Sequence, residues 1–211
     1  MIRLTPTALT ASTFEPYGQV IVARTAASSE ANQGTASRFN QLATLQNDRS
    51  NAKTNVCLFR SAKRPLHKVS NSSKSTATTT TTTPTDDNGS GFFPVRLLER
   101  HPYSSQMFIP LNCQQRWLII VALPKHEPDQ VDPCQEGKAG PDMSTLRAFM
   151  ARSDQGINFA AGVWHHPLIA LESTTDFACV VYEDDTKDDC HIVEMTNVEV
   201  HVPPRNIQSS M

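Results

Sequence analysis

Two ionisable side chains, two residues apart, are the first feature with chemical potential: Glu99 and His101 in the run Val95-Arg96-Leu97-Leu98-Glu99-Arg100-His101-Pro102. Side chains alternate along a strand, so Val95, Leu97, Glu99 and His101 share one face while Arg96, Leu98 and Arg100 share the other. A carboxylate and an imidazole then stand side by side at the end of an apolar face. If that face points inward, two buried ionisable groups need partners, which a metal ion or a substrate would supply. If it points outward, Glu99 and His101 merely meet water.

The second informative run is Gln155-Gly156-Ile157-Asn158-Phe159-Ala160-Ala161-Gly162-Val163-Trp164-His165-His166-Pro167-Leu168. A glycine turn feeds a strand with two adjacent histidines, which gives one imidazole to each face. Only one of His165 and His166 is internal unless the strand is bulged. Alone, such a pair says little, because a satisfied core or surface histidine is commoner than a ligand.

The elements that must position these groups are short strands. Val56 to Arg60, Val95 to His101, Met107 to Leu111, Arg116 to Leu123, Leu146 to Met150, Trp164 to Leu171, Phe177 to Tyr182, His191 to Glu194 and Val198 to Val202 are β-branched or aromatic in content and separated by turn residues. That succession predicts a mainly β sandwich or barrel. One short N-terminal helix, capped by Thr5 or Thr7 and ending before Pro16-Tyr17-Gly18, is expected to pack on the outside of the sheet. A single domain over 1–211 accommodates all of this, with two interruptions. The stretch at about 61–91 is rich in Ser, Thr and Lys, with a threonine run from Thr78 to Thr83, and buries too little apolar surface to offset its ordering entropy. A second loop at about 124–141 carries Pro, Asp and Gly. Neither is expected to carry chemistry.

Composition excludes several classes. A net charge of -2 gives no general attraction to nucleic acid or anionic membrane. The longest apolar run, Trp117 to Leu123, falls far short of the roughly 20 residues that span a bilayer. The start Met1-Ile2-Arg3-Leu4-Thr5-Pro6 lacks the pattern of an export signal, so a cytoplasmic protein is expected. Five cysteines (Cys57, Cys113, Cys134, Cys179, Cys190) without a CxxC pair argue against a disulfide framework or structural zinc and read as small buried thiols.

Together the two runs resemble the signature motifs of the cupin superfamily. Glu99, His101 and Gln106 fall at the ligand places of the first motif, and Ala160-Ala161-Gly162-Val163-Trp164-His165 matches the Pro-x-Gly-x-x-His turn of the second except for its proline. The resemblance implies a cupin-like double-stranded β-helix, or jelly-roll, barrel and makes His165 the inward histidine. Glu99 stands where histidine is commoner and Gln106 where glutamate is commoner, which implies a weaker, more oxygen-rich metal site.

At the level of whole segments, Leu98-Glu99-Arg100-His101-Pro102, Gln106-Met107-Phe108-Ile109-Pro110, Leu146-Arg147-Ala148-Phe149, Gly156-Ile157-Asn158 and Gly162 to Leu168 resemble the ureidoglycolate lyase family in order and identity. Phe14-Glu15-Pro16-Tyr17-Gly18, Asn32-Gln33-Gly34 and Arg38-Phe39 fit it too. The resemblance implies cleavage of ureidoglycolate into glyoxylate and urea, as in allantoin degradation. That chemistry needs a base, an acid or electrophile, and a cation for the substrate carboxylate. Glu99, His101 and His165 are the catalytic candidates. His101, Gln106 and His165, with Glu99 as a further ligand, could hold a divalent metal, nickel by resemblance to bacterial members. Without metal, Glu99 or one of the histidines is the base, and an apolar face would raise the Glu99 carboxyl toward neutral pH. The carboxylate clamp falls to Arg38 first and Arg60 second. Asn32 could bond the ureido group. Arg147 and Arg100 rank lower, Arg100 reading as a surface or interface charge; Trp164 and Phe108 read as core. The resemblance also implies a homodimer in which an apolar strand face is covered by its twin. The competing functions are another small-acid or sugar-processing cupin, an isomerase or dioxygenase, and a non-catalytic carboxylate-binding cupin.

Overall fold

The computed structural model describes residues 1–24, 26–68, 90–111, 115–125 and 140–205. Most of the two expected interruptions, together with Cys113 and Cys134, lies outside the described residues. Along the chain run β1 (Ile2–Leu4), β2 (Thr7–Ala8), α1 (Ala11–Phe14), β3 (Gly18–Ile21), β4 (Ser29–Ala31), β5 (Ala36–Arg38), β6 (Lys53–Ser61), β7 (Gly91–Pro94) and β8 (Leu97–Arg100). Then follow β9 (Gln106–Leu111), β10 (Trp117–Ala122), β11 (Arg147–Ala151), β12 (Gly156–Phe159), β13 (Trp164–His165), β14 (Ile169–Ala170), β15 (Thr175–Glu183), β16 (His191–Glu194) and β17 (Val198–Val202).

These strands form three main sheets and a separate hairpin, β4-β5. The central sheet has the order β16-β8-β13-β10-β11-β2, with β14 also paired to β10. A five-stranded sheet, β3-β12-β9-β15-β6, shares one core with it, and a three-stranded sheet, β1-β17-β7, shares the other. Strand β10 explains why both cores exist. All of Trp117–Ala122 is buried: Trp117, Ile119 and Val121 join Phe108, Ile157, Phe159 and Phe177 on one side, while Leu118, Ile120 and Ala122 join Phe93, Val198 and Val200 on the other. A continuous apolar run is what a strand covered on both faces requires. The fold is mainly β, and strand pairing among the described residues does not close into a barrel.

Two local expectations are corrected. The helix is a single turn capped by Thr10, whose hydroxyl accepts from the Thr13 N–H at 3.2 Å, not by Thr5 or Thr7, which lie in or beside strands. It packs through one residue: Ala11, Ser12 and Thr13 are exposed, while Phe14 is fully buried against Phe149 and Phe159 in the first core. Val95 does not share the Glu99 face. It precedes β8, gives its N–H to Val198 and lies in the second core, so alternation begins only at Leu97. Gly18 shows how closely β3 meets β12, since a Cβ there would come within 1.9 Å of the Asn158 carbonyl oxygen. The described cysteines, Cys57, Cys179 and Cys190, are free thiols.

Candidate metal and catalytic centre

Strand register assembles the site. Glu99 on β8 lies directly opposite His165 on β13, His165 opposite Val121 on β10, and Val121 opposite Arg147 on β11. Directly opposed residues point to the same face. Val121 belongs to the first core, so Glu99, His165 and Arg147 form a row on the face turned toward the five-stranded sheet. Gln106 enters from that facing sheet, at the start of β9. His101 lies just past β8, where its carbonyl accepts the N–H of Gly162 at 2.8 Å. Gly162 has φ 78, a left-handed turn that favours glycine, and this turn ties the two motif runs together.

One donor atom from each of Glu99, His101 and His165 lies within 4.8 Å of the other two. His165 is fully buried, its ring stacked on Phe159 at 4.1 Å and its Nε2 3.0 Å from Gln106 Oε1 and 3.6 Å from Glu99 Oε1. His165 Nδ1 donates to the Val163 carbonyl at 3.0 Å, and His101 Nδ1 donates to the Asp189 carbonyl at 2.7 Å. A carbonyl only accepts, so each Nδ1 carries a proton; the His101 ring, neutral near neutral pH, offers its Nε2 lone pair, and His165 directs its Nε2 at Gln106 and Glu99. His101 Nε2 is buried and, among the described residues, has no hydrogen-bond partner. The Nε2 atoms of His101 and His165 and the side-chain oxygens of Gln106 and Glu99 therefore converge, an arrangement that a cation among them, a proton or a metal ion, would stabilise. The donor set of two imidazoles, a carboxylate and an amide oxygen fits a divalent first-row ion.

The electrostatics differ from expectation at Glu99. Burial works to raise its carboxyl, but the hydrogen bond from His165 and the nearby charges of His165 and His101 outweigh it and hold Glu99 below its ordinary value. The expected rise weighed only the apolar face and left out the His165 imidazole that cross-strand register sets opposite Glu99. Burial, aided by His165, pushes His101 down to about 4, so its ring is neutral near neutral pH. Burial and the charge of Glu99 push the Cys190 thiol up to about 11, so it offers no thiolate.

The remaining candidates scatter. Arg147 lies in the row, two strands from His165, a Cα separation of roughly 10 Å at the usual strand spacing. Its Nη1 donates to the Ser144 and Leu146 carbonyls, and among the described residues it has no carboxylate partner. Arg60 is on the outer face of β6, its guanidinium forked onto Asp176 by two 2.8 Å bonds. Asn32 and Arg38 are exposed on the β4-β5 hairpin, and among the described residues no hydrogen bond or ion pair joins them to the cluster. Arg100 is not a surface charge: it is buried, with its guanidinium 4.6 Å over the Trp164 ring. His166 is buried as well, against Phe93. For His166 the cause is the three-stranded sheet, whose β7 carries Phe93 over the second face of the central sheet.

A family model described as ureidoglycolate lyase matches residues 1–203. The chain belongs to the ureidoglycolate lyase family. A protein named ureidoglycolate lyase from Burkholderia cepacia is 34% identical over 172 residues, covering 82% of this chain and 75% of its own length. One of the same name from Brucella abortus biovar 1 (strain 9-941) is 32% identical over 180 residues, 84% of this chain and 81% of the relative. For this member of the ureidoglycolate lyase family, sequence reasoning missed Phe159, which stacks on His165, and Asp189, whose carbonyl orients His101. The acidic run Asp184-Asp185 to Asp188-Asp189 was the one visible signal. Among the described residues no helix is long and apolar enough to cross a membrane.

Proposed function

We propose that this protein is a ureidoglycolate lyase that splits ureidoglycolate into glyoxylate and urea. The observation that carries the reading is the convergence of Glu99, His101, His165 and Gln106 in a chain of that family, with His101 Nε2 buried and, among the described residues, unpartnered. The reacting carbon bears a carboxylate, a hydroxyl and a ureido group. Cleavage requires the hydroxyl proton to leave, the C–O bond to become a carbonyl and the C–N bond to break, with a proton delivered to the departing nitrogen.

His101 and His165, through Nε2, and Gln106, through Oε1, are the residues that would hold a divalent ion, nickel by family resemblance. A bound ion supplies Lewis acidity that lowers the hydroxyl pKa of a chelating α-hydroxy acid. Glu99, ionised at neutral pH because its carboxyl is held low, accepts the hydroxyl proton and returns it to the urea nitrogen, so protons balance within the turnover. Arg147 takes precedence over Arg38 and Arg60 as the partner of the substrate carboxylate: it shares the row's face and has no competing carboxylate among the described residues. Asn32 and Arg38 remain candidates for contacts from the hairpin.

The rest of the reading is a cytoplasmic cupin-type jelly roll that works as a homodimer. The two sheets that share the first core support the jelly roll. The exposed Val56, Leu58, Ile109 and Leu111 on the outer face of the five-stranded sheet support a twin-covered interface. The test is to supply racemic ureidoglycolate, with and without prior chelation, and follow glyoxylate, urea and ammonia together. Equal glyoxylate and urea, with a rate lost on chelation, is the expected result. Ammonia in place of urea would make the enzyme a hydrolase, and no product would overturn the reading.

A further inference from the structure

We infer that Arg49 is a positioning residue for this site, acting through Asp189 to hold the His101 ring with its Nε2 turned to the cluster. The inference rests on the reading that His101 works through Nε2. Arg49 precedes β6 and lies against both segments that define the His101 ring. Its guanidinium carbon sits 5.2 Å over the ring of Tyr103, two residues beyond His101, and the Asp48 N–H donates to the Tyr103 carbonyl at 2.9 Å. On the other side, Arg49 Nη1 donates to Asp184 Oδ1 at 2.7 Å and to Thr186 Oγ1 at 3.2 Å, while Nη2 donates to Asp189 Oδ1. The Asp189 carboxylate also accepts the Asp184 N–H at 3.1 and 3.2 Å.

The Asp184–Asp189 loop is thereby folded onto one guanidinium, and the carbonyl it presents, that of Asp189, is the acceptor 2.7 Å from His101 Nδ1. The side chains of Arg49, Asp184 and Asp189 are only 16%, 18% and 14% exposed, so without the guanidinium two largely buried carboxylates repel each other. The loop then has reason to open. Once the Asp189 carbonyl moves, nothing else among the described residues holds His101 in the Nδ1–H tautomer, and the Nε2–H tautomer has no lone pair at Nε2 to give the cluster. Partners of this kind, one step behind a ligand, set its tautomer and orientation.

The test compares wild type with Arg49→Met and Arg49→Lys in the metal-free protein. Nitrogen-15 NMR of the histidine rings reads the His101 tautomer, and equilibrium dialysis reads nickel(II) binding. A thermal melt records stability separately. In Arg49→Met, an Nε2–H population should emerge at His101 and nickel affinity should fall about 10- to 100-fold. Arg49→Lys, which keeps the charge but not the fork, should lie between. If the methionine variant does not fold, the lysine variant is read by the same two measurements. A folded variant that melts lower yet keeps wild-type tautomer and affinity would make Arg49 a loop staple only and overturn the inference. Wild-type protein that shows one tautomer but no turnover would instead count against the lyase reading and leave this one standing.

Discussion

At the scale of single residues, the site is defined by what each histidine nitrogen has already committed. With both Nδ1 atoms held by carbonyls, removal of either ring deletes an Nε2 from the cluster together with one hydrogen bond to a carbonyl and, for His165, the stack on Phe159. His101→Ala and His165→Ala should therefore each lower turnover by at least about 100-fold with the far-ultraviolet dichroism unchanged; near-normal rates in either variant would remove the cluster from the mechanism. Protonation gives an independent check. His101 is pushed down from 6.5 to about 4 in the folded chain. Between those values the unfolded chain binds a proton that the folded one does not. Stability is thus full above pH 6.5 and falls as pH drops toward 4, by about 3 kcal/mol if one proton is linked throughout. Urea unfolding of metal-free wild type and His101→Gln across this range should show a flatter dependence in the variant, whereas parallel curves would mean His101 titrates alike in both states.

At the scale of elements, the shortest one does more than its length implies. Helix α1 spans Ala11–Phe14, too short to be stable by itself, and is held by the Thr10 cap and by the burial of Phe14 among Tyr17, Phe149 and Phe159. Phe14→Ala should destabilise the fold by about 3–5 kcal/mol through lost burial and the cavity left behind. Chemical denaturation would measure this, and a change within 1 kcal/mol would show that the aromatic cluster repacks. Most long strands were legible in advance, because the apolar content of Trp117–Ala122 and Thr175–Glu183 admits no helical period. Strands β1 to β5, β7 and β12 were not. They are short, and they pair because long-range neighbours offer an edge, as β12 does to β3 through Gly156–Phe159.

At the scale of the whole molecule, the outer face of the five-stranded sheet stands out. Val56 is 72% exposed and Leu58 55%, side by side with Ile109 and Leu111 across β15. If that face meets its twin, a charge on it separates the pair. Leu58→Asp should convert a dimer into a monomer in analytical ultracentrifugation, with the first core intact because Leu58 is not part of it. An unchanged oligomeric state would put the interface elsewhere or exclude one.

By itself the sequence determined the chemistry available, namely Glu99, His101, Gln106 and His165 as a candidate donor set. It also determined the β character, since short apolar runs between turn residues leave little else. Which arginine joins the row, which carbonyl holds His101 and why Glu99 stays acidic depend on cross-strand register and on loops more than 80 residues apart, Asp189 facing His101 at a separation of 88. Those are properties of long-range pairing, where the neighbours that set orientation and charge are distant in sequence. Only the tertiary structure decides them.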